Sequence, residues 1–448
     1  MIRPLAPKFA QSFGVGIAVV IALLWSSSVP AATTTKKKKT PAKPAPISQA
    51  ARDAALARVS GYLEASANMG FEQPQAMASF FEKLTVGSSG LAQGPVHILH
   101  FGDSHTAADE WTGGMRYFFQ QKFGNGGSGY SLAGHPFLGY RRFGTHHGAT
   151  PGWQTLGLAS GEGDGYFGLG GVGIYTRRAG QSVFIEGECS QVGVYYLQMP
   201  GGGELELFDN DQMVKRFSTD GDIAATMLPY QTSPGIHTLK LLTLQNRPVR
   251  LLGWSTDRDS GVTYESLGIN GAQASIFFRW KDTMVASYLQ QRDPALIVLA
   301  YGSNEASDPN WTGESYQAMF AALLKRLRTD CPAASILVLG PTDRMVRTRA
   351  GVVPVQGIDK IIAAQRLACS ENGCAYWNAK QRMGGATSIK DWMIAGLGQG
   401  DYVHFTAPGY DRLADVLFSD IMRLYDQFLK ARTPVHTQIS DGQSSQSN

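Results

Sequence analysis

The fold is decided by the stretch Val96-His97-Ile98-Leu99-His100-Phe101-Gly102-Asp103-Ser104. A short apolar run that stops at a glycine indicates a buried strand, and a helical stretch follows from about Asp109 to Phe123. In an open parallel sheet, ligands bind beyond the carboxyl ends of the strands. Asp103 and Ser104 therefore stand where a functional site is expected.

The same alternation of strand and helix returns in the second half of the chain. Leu296–Ala300 and 336–339 are short apolar runs typical of buried strands. Apolar residues that recur with the 3.6-residue period of an amphipathic helix follow the first of these runs. They are Tyr316, Met319, Phe320, Leu323, Leu324 and Leu327. Strands that alternate with helices predict a doubly wound parallel α/β sheet.

Between these two parts, residues 156–257 have the texture of an all-β region. Short strand-like runs are separated by turn residues such as Gly201-Gly202-Gly203 and Pro234-Gly235, which predicts an inserted β-sandwich. The runs are 183–185, 192–196, 204–208, 237–242 and 249–252. Aromatic side chains of this region either form its core or stack on sugars. They are Trp153, Tyr166, Phe167, Tyr195, Tyr196 and Trp254.

The chain begins with a pattern typical of export. Arg3 and Lys8 precede a short apolar stretch, and small residues follow it, as in a secretory signal peptide; an uncleaved membrane anchor is the alternative. The predicted segments are a signal peptide (1–31), a Lys/Pro/Ala-rich linker (32–47), a helical segment (48–94), the two parts of the α/β domain (95–155 and 258–432), the inserted β-sandwich (156–257) and a disordered tail (433–448).

Composition narrows the function classes. The 448 residues are 43% hydrophobic and 17% charged, with a net charge of +4, which indicates a globular protein without a nucleic-acid face. The four cysteines lack zinc-ligand spacing and are interpreted as structural, with their pairing open. Nothing in the sequence demands a metal or a cofactor.

Three polar segments contain the residue types of serine-hydrolase chemistry. They are residues 102–105, 302–305 and 401–404. Serine is a weak nucleophile that needs an adjacent base, itself oriented by a third group. His404 is the predicted base for Ser104, and Asp401 is the predicted orienting group of His404. His105 directly follows Ser104, so its side chain points elsewhere, and it is interpreted as a wall residue.

The reaction also needs donors aimed at the developing oxyanion. The backbone N–H of Ser104, the N–H of a glycine and the side-chain amide of Asn304 would supply three. No G-x-S-x-G motif, P-loop, dinucleotide fingerprint or H-E-x-x-H motif is present.

The three polar segments, together with a glycine between the first two, resemble the motifs of the SGNH (GDSL-like) hydrolases. The matching residues, in order, are Ser104, Gly271, Asn304, Asp401 and His404, with Gly268 as the weaker choice for the glycine. Residues 100–130 resemble more narrowly the bacterial peptidoglycan O-acetylesterases, which also carry an inserted carbohydrate-binding-like β domain. The resemblance covers about Val96 to Leu429. Glu305, where the wider family has Asp, is expected to matter little.

The resemblance implies an exported, periplasmic serine esterase. Its substrate would be an O-acetylated glycan, with the 6-O-acetyl group of N-acetylmuramic acid in peptidoglycan as the expected ester. An acetylated exopolysaccharide or xylan would suit the same residues. Two alternatives remain open: an O-acetyltransferase on the same scaffold, and a non-catalytic glycan-binding envelope protein. The sequence does not decide the oligomeric state.

Overall fold

The computed structural model describes residues 46–88, 94–158 and 163–432. The predicted signal peptide, nearly all of the predicted linker and the predicted tail lie outside these residues. The α-helices are α1 (Gln49–Ala65), α2 (Ala78–Ser88), α3 (Ser104–Ala107), α4 (Glu110–Phe123), α5 (Asp282–Arg292), α6 (Gly313–Asp330), α7 (Ile358–Glu371), α8 (Ala379–Arg382), α9 (Ile389–Ile394) and α10 (Ala407–Arg432). Short 3₁₀ helices are Pro74–Met77, Ala274–Arg279 and Glu305–Ser307.

The strands fall into three sheets. They are β1 (Phe71–Glu72), β2 (Val96–Gly102), β3 (Gly127–Ser131), β4 (His146–Ala149), β5 (Gln154–Gly157), β6 (Val172–Thr176), β7 (Ser182–Gln198), β8 (Glu204–Asp209), β9 (Gln212–Ser218), β10 (Ala224–Thr243), β11 (Val249–Asp257), β12 (Val262–Gly268), β13 (Leu296–Ala300), β14 (Ser335–Leu339), β15 (Met345–Thr348), β16 (Gly351–Pro354) and β17 (Ala375–Trp377). β15 and β16 form a two-stranded hairpin.

The central sheet has the strand order β1-β17-β14-β13-β2-β12. Its strands are parallel except β1, which pairs antiparallel with β17. Gly102 at the end of β2 pairs with Gly268 of β12 and with Ala300 of β13. Three strands therefore end at the same line, and the loops that follow them meet at one edge of the sheet.

Helices cover both faces of this sheet. Leu99 and Phe101 of β2 belong to a buried cluster that includes residues of α5, α6 and α7. Ile98 belongs to a second cluster, with residues of α2, α4 and α10. Because side chains alternate along a strand, each strand contributes to both clusters. The predicted doubly wound α/β fold is confirmed.

The second large sheet is antiparallel and has the order β5-β6-β11-β7-β10-β8-β9, with β3 paired to β11 and β4 to β7. It is consistent with the predicted inserted β domain. The exact domain boundaries stay predictions, since β3 and β4 precede residue 156. One face of the sheet contributes Tyr195 and Leu252 to the same cluster as Leu99 of the central sheet.

Local expectations within the β region were too fragmented. Two of the predicted runs are parts of β7, a single strand of 17 residues. The predicted turn at Pro234-Gly235 lies inside β10, where the register shifts between Gln231 and Gly235. A bulge of this kind absorbs a proline and a glycine without ending the strand. The glycine-rich segment 126–129 lies almost wholly within β3, which begins at Gly127.

Most of the aromatic side chains of the β region are core residues. Phe167, Tyr195, Tyr196 and Trp254 are at most 7% exposed. Trp153 and Tyr166 are half-buried. The four buried rings cannot stack on a sugar, so the core interpretation is the one that fits them.

Candidate active site

Ser104 is the first residue of α3, directly beyond the carboxyl end of β2. The turn needs a glycine at position 102, because a Cβ there would lie 2.1 Å from Thr106 Oγ1 and 2.9 Å from the carbonyl oxygen of Ala300. Asp103 caps the short helix: its Oδ1 accepts a hydrogen bond from the backbone N–H of His105 at 2.9 Å. The sequence thus forces an abrupt strand-to-helix turn that presents Ser104 at the sheet edge.

Ser104, His404 and Asp401 form a continuous hydrogen-bonded chain. Ser104 Oγ lies 2.8 Å from His404 Nε2, across 300 residues of sequence. His404 Nδ1 lies 2.7 Å from Asp401 Oδ2. Because an ionised carboxylate only accepts, Nδ1 carries the proton and Nε2 is left to accept from the serine hydroxyl. This is the arrangement in which a serine becomes a nucleophile.

The loop after α9 holds Asp401 in its ionised form. Asp401 Oδ1 accepts hydrogen bonds from the backbone N–H groups of Val403 at 2.9 Å and His404 at 3.0 Å. Partial burial raises the pKa of Asp401, but the hydrogen bonds from the His404 ring and from these two N–H groups outweigh it. The net effect is a pKa below the ordinary range for Asp. Asp401 can therefore orient His404 and stabilise its charged form.

The predicted oxyanion donors gather around the same strand end. The backbone N–H of Ser104 and that of Gly271 have no hydrogen-bond partner within the described residues. Asn304 Nδ2 lies 2.9 Å from the carbonyl oxygen of Ala272 and 3.4 Å from Asp103 Oδ2. The side-chain amide of Asn304 is thus adjacent both to the residue before Ser104 and to the residue after Gly271.

The turn that contains Gly271 is hydrogen-bonded to the carboxyl end of β2. The N–H of Ile269 donates to the carbonyl oxygen of Gly102 at 3.0 Å. Gly271 has a φ of +74°, a left-handed conformation that favours glycine. Gly268, the alternative, ends β12, where a Cβ would lie 2.2 Å from the N of Ala107. The close approach of α3 explains that glycine by packing, so Gly271 is the better candidate.

Glu305 has a role that sequence reasoning missed. Its carboxyl group accepts hydrogen bonds from the backbone N–H of Ala274 at 2.8 Å and of Gly302 at 3.0 Å. Burial is the largest influence and raises the pKa of Glu305 to about 7. The side chain joins the turn after β12 to the loop after β13, and so fixes Asn304 relative to Gly271. Its position directly after Asn304 was the available signal.

His105 is a neutral side chain that packs against the ring of His404. The ring centroids of His105 and His404 are 5.1 Å apart, and His105 Nδ1 lies 2.9 Å from the hydroxyl of Tyr410. Burial, and then the charges of His404 and Arg344, lower the pKa of His105 to about 3. The geometry agrees with the interpretation of His105 as a wall residue, while Tyr410 was not singled out from the sequence.

Asp103 is buried behind the nucleophile, at 1% exposure. Burial raises its pKa to about 6, against the opposing effects of the His105 N–H, His404 and Arg344.

Beside the Gly271 turn, a cavity of about 240 Å³ is lined by Asn270, Gly271 and Gln273 among others. It offers space next to the predicted oxyanion donors.

The described residues contain no group of three or more His, Cys, Asp or Glu side chains that could hold a metal ion. All four cysteines are buried and none is in a disulfide. Among helices of the described ranges, none is both long and apolar enough to cross a membrane.

Part of the chain matches a known protein family, and most of it matches a solved structure. Residues 242–412, which include Asn304, Asp401 and His404, match the GDSL-like Lipase/Acylhydrolase family. A solved structure described as a peptidoglycan O-acetylesterase in action is 25% identical, with a TM-score of 0.67, and the match covers 78% of this chain and 96% of that chain. No curated protein matches the sequence.

Family two carbohydrate esterases match more distantly. The one from Cellvibrio japonicus is 11% identical with a TM-score of 0.28, covering 64% of this chain and 99% of that chain. The one from Clostridium thermocellum, in complex with cellohexaose, is 13% identical with a TM-score of 0.28, covering 56% and 94%. The domain match and the peptidoglycan O-acetylesterase match identify an SGNH-type carbohydrate esterase that resembles peptidoglycan O-acetylesterases.

Proposed function

We propose that this SGNH-type esterase is exported and removes the 6-O-acetyl group from N-acetylmuramic acid in peptidoglycan, with Ser104, His404 and Asp401 as its catalytic triad. The observation that carries the proposal is the hydrogen-bonded chain from Ser104 Oγ through His404 to Asp401. The 25% identity to a peptidoglycan O-acetylesterase over most of both chains supports the choice of glycan.

Acylation follows from the placement of these groups. Ser104 Oγ attacks the acetyl carbonyl carbon while its proton moves to His404 Nε2, and Asp401 stabilises the imidazolium that forms. The negative charge that develops on the carbonyl oxygen is stabilised by the N–H groups of Ser104 and Gly271 and by the Asn304 amide. The intermediate collapses when His404 protonates the oxygen of the departing sugar, which leaves the acetyl group on Ser104.

Deacylation repeats the same proton transfers with water. His404 Nε2 removes a proton from a water molecule as its oxygen attacks the acetyl-serine carbonyl carbon. The second tetrahedral intermediate occupies the same oxyanion site. His404 then returns the proton to Ser104 Oγ, and acetic acid leaves and ionises to acetate in solvent. No group beyond the triad and the oxyanion donors is needed to balance the reaction.

Export is proposed from residues 1–31, which lie outside the described residues. The signal-like pattern of a basic start, an apolar stretch and small residues supports it. Peptidoglycan lies in the cell envelope, so the proposed substrate and the proposed location agree with each other.

The test is acetate release from O-acetylated peptidoglycan by the purified mature protein, with an arylacetate as a second substrate. We expect release that disappears in Ser104→Ala, while the variant unfolds at the same temperature as the wild type. Cleavage of the arylacetate without release from peptidoglycan would leave the triad in place and refute the substrate. Hydrolysis that is replaced by acetyl transfer when sugar acceptors are added would identify a transferase.

A further inference from the structure

The hairpin of β15 and β16 is fastened to the loop that carries the triad histidine. The backbone N–H of Met345 donates to the carbonyl oxygen of Tyr402 at 3.0 Å. Arg347 Nη2 donates to the carbonyl oxygen of Gly400 at 3.0 Å, and its guanidinium lies 5.1 Å from the centre of the Tyr402 ring. Three contacts therefore fix the start of this hairpin relative to Asp401 and His404.

Arg344 directly precedes this hairpin and bridges to the second catalytic loop. Its Nη1 donates a short hydrogen bond to the carbonyl oxygen of Ser303, the residue before Asn304. Its positive charge is felt at the buried groups behind the nucleophile, because it opposes the rise in the pKa of Asp103 and contributes to the low pKa of His105. Arg344 thus places a cation between the His404 loop and the Asn304 loop.

Arg344 differs from the other arginines of low exposure. Each arginine that the structure buries forms an ion pair with a carboxylate. These pairs are Arg116–Asp109, Arg142–Asp109, Arg250–Asp164, Arg292–Asp257 and Arg382–Asp420. Arg344 is half-buried, yet within residues 46–88, 94–158 and 163–432 no carboxylate forms an ion pair with it.

The donors of Arg344 are only partly used. Nε is enclosed and has no partner, and Nη1 is taken by Ser303. Nη2 is not enclosed, and no hydrogen bond joins it to another described residue. Burial is the largest influence on the pKa of Arg344 and lowers it, while the charges of Asp103 and Asp401 act in the opposite direction without a direct ion pair. Because no carboxylate pairs directly with this guanidinium, its Nη2 donor is available to an anionic ligand near the Asn304 and His404 loops.

We propose that Arg344 binds a carboxylate of the substrate while the acetyl ester lies at Ser104, and so makes the enzyme selective for acidic sugars. This inference rests on the proposed function. N-acetylmuramic acid carries a carboxyl group on its lactyl ether, and peptides attached there carry further carboxylates. The shared chemistry is a carboxylate near the acetylated sugar, and the two sources are separated by the choice of substrates.

The sharpest test compares two sugars that differ only in the lactyl group. These are 6-O-acetyl-N-acetylmuramic acid and 6-O-acetyl-N-acetylglucosamine. Because a charged hydrogen bond contributes about 1.5–3 kcal/mol, we expect kcat/KM to favour the muramic acid about tenfold or more. A third substrate, the acetylated muramoyl peptide with free or amidated carboxyl groups, reports whether the peptide supplies the carboxylate instead.

Arg344→Gln is expected to bring the ratio of the two kcat/KM values close to one, and Arg344→Lys to retain part of it. Arg349→Gln is the matched control, since it removes an exposed charge at the tip of the same hairpin and should leave the ratio unchanged. Thermal unfolding of each variant reports its folding, and the ratio is internally corrected for inactive protein.

The outcomes separate failure of this inference from failure of the proposed function. If Arg344→Gln lowers both sugars and an arylacetate by the same factor, Arg344 only positions Ser303 and Asn304, and the inference is overturned. The same holds if the wild type hydrolyses both sugars and the muramoyl peptides without preference for a carboxylate. If the wild type cleaves arylacetate but neither sugar nor the muramoyl peptides, the proposed function itself fails.

Discussion

Two Asp–His pairs of nearly equal geometry lie in different regions of the part of the chain that the structure describes. At the edge of the parallel sheet, His404 Nδ1 lies 2.7 Å from Asp401 Oδ2. In the antiparallel sheet, His237 Nδ1 lies 2.6 Å from Asp209 Oδ1. The other ring nitrogen makes the difference: His404 Nε2 lies 2.8 Å from the hydroxyl of Ser104, whereas His237 Nε2 lies 2.8 Å from the carbonyl oxygen of Ser233.

A hydroxyl can donate a hydrogen bond and a carbonyl oxygen can only accept one. His404 Nε2 therefore faces a donor whose proton it can accept, while His237 Nε2 faces an acceptor that has no proton to give. The side chains of His404 and Asp401 are 33% and 44% exposed, and those of His237 and Asp209 are each 7% exposed. An Asp–His pair is thus catalytic or structural according to its third partner and its access to substrate.

The largest expected effect comes from replacing each of the two histidines by glutamine. His404→Gln should lower kcat for an arylacetate by about 10⁴-fold or more, because the serine loses its base. His237→Gln should leave kcat of the folded enzyme unchanged. Steady-state kinetics on both variants measures the contrast. A comparable loss of kcat in the folded His237→Gln enzyme would show that the comparison is wrong.

Stability should respond in the opposite way. Asp209 accepts hydrogen bonds from His237 and from the hydroxyls of Tyr230 at 2.8 Å and Thr232 at 2.9 Å. Asp209→Asn should cost about 3–5 kcal/mol of unfolding free energy, because it breaks a buried pair. Asp401→Asn should cost less than about 1 kcal/mol, because its pair is exposed, but should remove activity. Denaturant unfolding monitored by circular dichroism measures both, and equal losses would refute the distinction.

The His404–Asp401 pair could be predicted from the sequence and the His237–Asp209 pair could not. Ser104, Asn304, Asp401 and His404 stand in short motifs whose order survives in the linear sequence. Asp209 and His237 meet only because β8 and β10 pair, and no local pattern encodes that contact. For the same reason β10 was underestimated in length: the bulge near Gly235 continues a strand that its residues, taken locally, would end.

The contacts of Arg344 and Glu305 could not be predicted from the sequence, although Glu305 directly follows Asn304. Both lie close to the predicted site in sequence or space, but their roles depend on which backbone groups they reach in the folded chain. By contrast, the central sheet was predictable because each of its apolar strands and amphipathic helices has a recognisable pattern in its own stretch of sequence. Register and burial across distant segments were the parts that sequence reasoning could not supply.

An asparagine in each of the two regions extends the comparison. Asn304 lies beside Asp103 in the catalytic region, and Asn210 Nδ2 lies 3.4 Å from His237 Nδ1 in the β region. Asn304→Ala should lower kcat by about 10²–10³-fold, as expected for loss of one oxyanion donor. Asn210→Gly, which suits the positive φ of 47° at that position, is the matched control and should leave kcat unchanged. A wild-type kcat for a folded Asn304→Ala enzyme would exclude the amide from the oxyanion site.

The smallest expected effect is a difference in acid sensitivity. Burial raises the pKa of Asp209, but the hydrogen bonds from His237, Tyr230 and Thr232 lower it by more. The net shift of the pKa is therefore downward. Its stabilising contribution is therefore complete above the ordinary carboxyl pKa of about 4 and is lost as the pH falls through the lower folded value. The stability gap between wild type and Asp209→Asn should shrink on acidification. A gap that stays constant in denaturant titrations down to that range would contradict this sign.

The most direct test of the central claim is covalent labelling by a fluorophosphonate, which reacts with a serine activated by a neighbouring base. Peptide mass spectrometry of the labelled protein should place the adduct on Ser104. Labelling should be lost in His404→Gln and retained at the wild-type rate in His237→Gln. An adduct on another residue, or equal labelling of Ser104 in His404→Gln, would contradict the account in which the hydroxyl partner of His404 makes this pair the catalytic one.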